Sequence, residues 1–430
     1  MIARSLAAAH APACRHAFVR RFDALARAQA AAVDALAAAG QPHPALAGLA
    51  VSVKDMFDVA GQPTTAGSLA MPDAPAASDA TAVARLRAMG AALVGHSNQS
   101  EFAFSGVGLN PHHGTPVNAA TAALDAQPRV PGGSTSGGAV GVAVGAAWAA
   151  LGTDTGGSLR IPAALHGVVG YKATQRLVPQ AGCLPLSTSL DTVGAITRSV
   201  RDAVLLHTVL AERPLTLPAL PLAGARLAVP TTLMLDGTDV GVAEAFGRAL
   251  DTLRAAGASV QEITLEPLAE LAALNAKGGL PAAESWAWHR ARLAARGTQY
   301  DPRVAQRIRR GESISAADHI DLLQARKRWI ERVETAVAPF DLLLSPTVPV
   351  VAPPLAPLID DDDAFFATNA LLLRNPSVVN FLDGCAISLP CHAPGKLPVG
   401  LMLWAPALAD ARLLALAAAV ETALRGRDGK

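Results

Sequence analysis

The sequence predicts an α/β fold, one sheet of buried strands with helices packed against it. Three observations carry that expectation. First, apolar runs too short for helices recur along the chain: LAGLAVSVKD ending at Lys54-Asp55, AALVG at 91–95, LAGARLAVP at 222–230, DLLLSPTVP at 341–349, CAISLP at 385–390 and LPVGLMLWAP at 397–406. Second, helical patterns alternate with such runs in a strand–helix–strand rhythm. Third, strand material lies toward both ends, and no linker, repeat or low-complexity stretch parts the pieces. One sheet is expected, with the middle of the chain inserted upon it.

The first forty residues are Ala-rich with charges at helical spacing (Arg20, Arg21, Asp23, Arg27, Asp34) and read as amphipathic helix, ended by Pro42 and Pro44. Asp79 to Met89 reads as a helix closed by Gly90. Between 129 and 174, two glycine–serine clusters flank a small-residue helix candidate. Arg201 to Ala211 and Val242 to Ala256 read as helices, the second clearly amphipathic. Residues 265–340 are mostly helical in pattern, richest in charge, and hold Trp286 and Trp288. A final Ala/Leu helix closes the chain.

Composition excludes several classes. The 430 residues carry 36 basic and 35 acidic side chains, a net charge of +1, so no electrostatic footprint marks nucleic acid or an anionic membrane. Hydrophobic residues at 51% exclude disorder. The mean hydropathy of +0.30 raises the question of a membrane span. The longest apolar stretch, Ala139 to Leu151, is too short and glycine-rich for the about 20 residues a span needs. Arg4, His10, Arg15 and His16 break the N-terminus as a signal-peptide core. Cys14, Cys183, Cys385 and Cys391 show no CxxC spacing, so a reduced cytoplasmic chain is expected.

Glycine-rich loops are the loudest chemical feature, and their simplest readings fail. There is no GxxxxGK[ST], no GxGxxG with an acidic residue about 20 positions on, no GxSxG around Ser134, Ser136 or Ser158, and no SxxK. No HExxH occurs and His112-His113 are adjacent, so neither a metal nor a cofactor is expected. What remains is serine, glycine and one lysine. The run Gly132 to Gly138 lets a hydroxyl sit on tight backbone that glycine tolerates. Asp154-Thr155-Gly156-Gly157-Ser158 offers consecutive N–H groups before a serine, which is what an oxyanion hole needs. A serine is inert at its free pKa and requires a base. Only six basic residues are lysine (Lys54, Lys172, Lys277, Lys327, Lys396, Lys430), so a lysine in an apolar setting stands out. Lys54, at a strand end, becomes a base if burial lowers its pKa. Singly, these features read as a turn and a snorkelling surface lysine; their combination points to catalysis.

The same segments resemble the amidase signature hydrolases. The likeness lies in SVKDMFDVAG around Lys54, NQSEFAFSG at 98–106, RVPGGSTSGG at 129–138, GTDTGGSLRIPAALHGVVGYKAT at 152–174, SLDTVGAITRSVRDA at 189–203, and the closing AISLP and LPVGLML. It spans nearly the whole chain in order, and the 24-residue step from Ser134 to Ser158 matches. The resemblance implies a single large domain over 1–430, a central mixed β-sheet flanked by α-helices. Its signature core would cover about 50–205, with a variable helical pocket region at about 265–340. It further implies a Ser–cisSer–Lys triad: Ser158 as acylated nucleophile, Ser134 after a cis peptide bond as proton relay, Lys54 as base. The oxyanion hole would be the N–H groups of Thr155, Gly156, Gly157 and Ser158, with Asp154 and Arg160 supporting the loop.

Phe104, Ser105 and Gly106 would bind substrate, with Met56, Phe57 and the 265–340 region shaping the pocket. Trp286, Trp288 and Tyr300 either line an apolar mouth or pack helices on the sheet, and the packing reading is preferred. The arginine-rich run WHRARLAARGTQYDPRVAQRIRRG either attracts an anionic substrate or is a solvated face. Two positions depart from the family pattern: Ala173 replaces a usual proline, and His96 a common lysine. The implied activity is hydrolysis of a small-molecule carboxylic amide, releasing ammonia or an amine, with no nucleic acid or membrane involved. A homodimer is compatible with the resemblance, though no stretch marks an interface. Two alternatives are the glutaminase component of a tRNA-dependent amidotransferase and a non-catalytic anion-binding module. The missing YDGVRYG-like segment weighs against the first, the three residues together against the second.

Overall fold

Residues buried on both faces set the strands. The computed structural model describes residues 1–211 and 215–428, so Lys430 lies outside the described residues. Its strands are β1 (Phe18–Arg21), β2 (Ala50–Lys54), β3 (Ala92–Ser97), β4 (Ala149–Asp154), β5 (Val169–Lys172), β6 (Thr192–Thr197), β7 (Arg226–Pro230), β8 (Ser259–Ile263), β9 (Leu342–Pro346), β10 (Cys385–Pro390) and β11 (Gly400–Ala405). They form one sheet in the order β1-β3-β2-β4-β6-β5-β10-β11-β9-β7-β8. β2, β3, β4, β5, β6, β9 and β11 are buried along their whole length, whereas β1 and β8, at the two edges, are partly exposed. Pairing is mixed: β2 runs parallel to β3 and β4, and β7 parallel to β8 and β9, while β4 and β6 are antiparallel. The molecule is a single α/β domain with helices flanking this sheet.

Helix starts follow the capping rules. Asp239 accepts from Val242 N to open Val240–Ala255, and Ser315 forms a capping box with Asp318 at Ala316–Val337. The first forty residues correct the expectation of one amphipathic helix. They form two, Ile2–His10 and Asp23–Ala38, parted by a short 3-10 turn at Pro12–Cys14 and by β1. His16 turns the chain at a φ of 63°, after which Phe18 pairs antiparallel with Ser97. FVRR has too few apolar residues to announce a strand; its partner β3 defines it.

The helix Asp362–Phe381 also carries no periodic signal, because Pro376 interrupts its pattern. It packs in a cluster that unites Trp329, Phe381, Met402 and Trp404. Trp329 is fully buried, and its Nε1–H donates to Pro267 O at 2.6 Å. Trp329→Ala should therefore lower the unfolding free energy by about 3–5 kcal/mol. Urea denaturation followed by circular dichroism measures it, and an unchanged midpoint would show that this cluster does not hold the helices to the sheet.

Candidate active site

Three strands deliver the chemistry to one edge. Because β2, β3 and β4 are parallel, their carboxyl ends lie together, which is where open α/β sheets bind ligands. Lys54 is the last residue of β2 and Asp154 the last of β4. Lys54 is completely buried. Its Nζ donates to Ser134 Oγ at 2.8 Å and to Thr153 Oγ1 at 2.7 Å. Burial lowers its pKa from 10.5 to about 7, against smaller opposing effects of Cys183, Asp191 and Asp154.

Ser134 follows a cis peptide bond from Gly133. The segment 98–106 clamps this loop: Gly133 N donates to Gly106 O at 2.7 Å, and Ser100 N to Ser134 O at 3.1 Å. Gly133 must be glycine, since a Cβ there would stand 2.6 Å from Ser105 O. Gly106 N and Ser105 Oγ both donate to Asn369 Oδ1, which ties the clamp to the helix Asp362–Phe381.

The loop after β4 is built around Asp154. Its carboxylate accepts from Gly157 N at 2.9 Å, Leu159 N at 3.1 Å, Arg160 Nη2 at 2.8 Å and Asn380 Nδ2 at 2.9 Å. Burial alone would raise this carboxyl, but Arg160, Asn380 and Lys172 together hold it well below the usual range. Thr155 Oγ1 donates to Asp191, whose pKa burial raises to about 6. Gly157 has a φ of 121°, and a Cβ there would meet Pro376 at 2.5 Å.

Ser158 follows this turn, and its carbonyl accepts from Thr135 N at 3.3 Å, joining the two serine loops. Among the described residues, nothing takes the N–H groups of Thr155, Gly156 or Ser158. Gly157 differs from the sequence expectation, because its N–H is engaged by Asp154.

Ser158 opens onto a cavity of about 520 Å³, also lined by Phe104, Ser105, Thr155 and Gly156. Lys54 and Ser134 are not on that wall and are fully buried. Gly106 is not on the wall; it holds the loop beneath it. Met56, Phe57, Trp286, Trp288 and Tyr300 also lie off the wall. Tyr300 stacks on Phe102 at 5.1 Å, and its hydroxyl meets His289 Nδ1 at 2.9 Å, so it serves packing. The arginine-rich run divides its work: Arg303 pairs with Asp362, whereas Arg307 reaches the cavity. His96 lies buried on β3, with Nε2 3.1 Å from Phe57 O. Among the described residues, no group of three or more His, Cys, Asp or Glu could hold a metal ion, and no helix is long and apolar enough to cross a membrane.

Sequence reasoning missed the helix Asp362–Phe381, which contributes Leu373, Arg374, Ser377 and Phe381 to the cavity. A signal was present in Asn369, Asn375 and Asn380, three amides within an apolar stretch, all of them buried and hydrogen-bonded. It also missed that Lys172 is as buried as Lys54. Lys172 differs in its partners, donating to the carbonyls of Ala173 and Gly384.

Comparison with known proteins shows the family. The amidase family model matches residues 2–414. A 2-amino-5-chloromuconic acid deaminase of Comamonas testosteroni is 38% identical over 407 residues, covering 93% of this chain and 86% of that protein. The A-type subunit of the glutamyl-tRNA(Gln) amidotransferase of Symbiobacterium thermophilum is 33% identical, covering 90% and 84%. A crystal structure of an amidase superposes with a TM-score of 0.87 at 34% identity, over 98% of this chain and 95% of that one. The chain belongs to the amidase signature family. It is an amidase-family hydrolase of C–N amide bonds.

The Asp154–Arg160 pair yields a stability prediction. Arg160→Met leaves a carboxylate buried without its main counter-charge, and should cost about 3–5 kcal/mol. Thermal unfolding measures it; a melting temperature equal to the wild type would mean that Asn380 and the loop amides suffice alone.

Proposed function

We propose that the protein hydrolyses a small carboxylic amide through an acyl-enzyme on Ser158, with Ser134 as proton relay and Lys54 as base. The observation that carries this reading is the 2.8 Å contact between Lys54 Nζ and Ser134 Oγ, made by an amine whose burial brings its pKa near neutrality. Neutral Lys54 accepts a proton from Ser134 while Ser134 takes one from Ser158, and Ser158 Oγ bonds to the amide carbon. The resulting oxyanion accepts from the unengaged N–H groups of Thr155, Gly156 and Ser158. Gly157, whose amide is occupied, shapes the turn.

As the C–N bond breaks, Ser134 gives a proton to the leaving nitrogen and is restored from Lys54. Water then cleaves the ester by the reverse relay, so amide and water become acid and ammonia or amine. The deaminase among the relatives supports ammonia as the leaving group. Likeness to the glutamyl-tRNA(Gln) amidotransferases supports a second reading, glutaminase activity, which an assay of ammonia release from glutamine tests.

Ser158→Ala should lower kcat for amide hydrolysis by about 10⁴-fold or more, and abolish labelling by a fluorophosphonate, with circular dichroism unchanged. Retained turnover would exclude Ser158 as nucleophile. The wild-type kcat/KM should rise with pH through about 7, since protonated Lys54 cannot accept a proton. A flat profile from pH 6 to 9 would exclude Lys54 as base.

A further inference from the structure

We propose that the cavity beside Ser158 selects amides whose far end carries a carboxylate, held by Arg307 and Arg374. The inference rests on the reading of Ser158 as nucleophile and names the substrate class of that site.

Two guanidinium groups reach the cavity from different elements, Arg307 on the helix Pro302–Arg309 and Arg374 on the helix Asp362–Phe381. No Asp or Glu lines it among the described residues, and most of the remaining wall is apolar. Neither arginine is in an ion pair among the described residues. Arg307 donates to Phe104 O and lies over the Phe104 ring at 5.4 Å. Burial and then the nearby Arg310 push its pKa down to about 10, as expected of a cation short of counter-charge. Its neighbour Arg303, one turn earlier on the same helix, is paired with Asp362.

Arg374 Nε donates to Asn375 Oδ1 at 3.0 Å, while its Nη2 is buried without a hydrogen-bond partner. Burial lowers its pKa too, and Asp236, outside ion-pair reach, opposes this. Half-buried cations without a counter-charge are unfavourable, and a planar guanidinium fork matches a carboxylate in two parallel hydrogen bonds. A ligand carboxylate supplies the missing charge. The rest of the shared lining, with residues such as Leu186, Leu190 and Leu373, is apolar and suits a hydrocarbon spacer. The substrate class is therefore the half-amide of a dicarboxylic acid. Water adds across the C–N bond, giving the dicarboxylate and ammonium.

The test compares adipic acid monoamide with hexanamide, which has the same chain without the charge. Wild-type kcat/KM should favour the monoamide at least about tenfold, and Arg374→Gln should collapse that ratio, mainly through KM. Arg307→Gln should act in the same direction. Calorimetric binding of adipate to Ser158→Ala protein should weaken about tenfold or more when either arginine is also replaced. Equal use of the two amides, or adipate binding indifferent to both arginines, overturns the inference. Should Ser158 accept a fluorophosphonate under that result, the amidase reading stands alone. Arginine-dependent adipate binding without turnover of any amide would instead uphold the carboxylate site and overturn the amidase reading.

Discussion

An amine buried at the end of a strand, with two hydroxyls as its hydrogen-bond partners, is the constraint on which the rest of this molecule depends. Lys54 has no carboxylate in contact among the described residues. Its pKa therefore falls near 7, against an unfolded value of about 10.4. Between those values the unfolded chain binds the proton more tightly, so this burial opposes folding at neutral pH and below, and the penalty fades as pH rises. Such a cost persists where neighbouring groups fix the geometry. Here the nearby carboxylates are engaged elsewhere: Asp154 by Arg160, Asn380 and two loop amides, and Asp191 by Thr155 and the amides of Leu186 and Ser187. Their engagement leaves the amine with neutral partners.

Small residues make that geometry attainable. Each serine loop packs so tightly on its support that a side chain at Gly133 would collide with Ser105, and one at Gly157 with Pro376. The clamp from segment 98–106 positions the first loop, and Asp154 the second. Both are anchored to the helix Asp362–Phe381, through Asn369 and Asn380. This helix thus supports both serine loops and carries Arg374 to the cavity, so its placement couples the proposed chemistry to the proposed selectivity.

How much was legible in the sequence follows from how local each signal is. Buried strands such as β2 and β9 announce themselves as short apolar runs, and Lys54, at the end of one of them, stands out in a chain with only six lysines. The edge strand Phe18–Arg21 was not legible, because it is defined by pairing with β3. The engagement of Gly157 N was also hidden, since one amide in a run of four is indistinguishable until Asp154 is placed. Lys172 shows the limit of scarcity as a signal: it is buried too, and carbonyl rather than hydroxyl partners separate it from Lys54. Arginine pairing, which separates Arg303 from Arg307, depends on a helix some sixty residues away.

The scarcity of lysine allows the central claim to be measured directly. With lysine labelled by ¹³C at Cε, proton–carbon correlation spectra of this chain contain at most six lysine signals, and the one lost in Lys54→Met belongs to Lys54. Following that signal from pH 5 to 11 reports its titration in the folded protein. A midpoint near 7 is the predicted result. A midpoint above about 10, as for an exposed lysine, would contradict a neutral amine at this strand end.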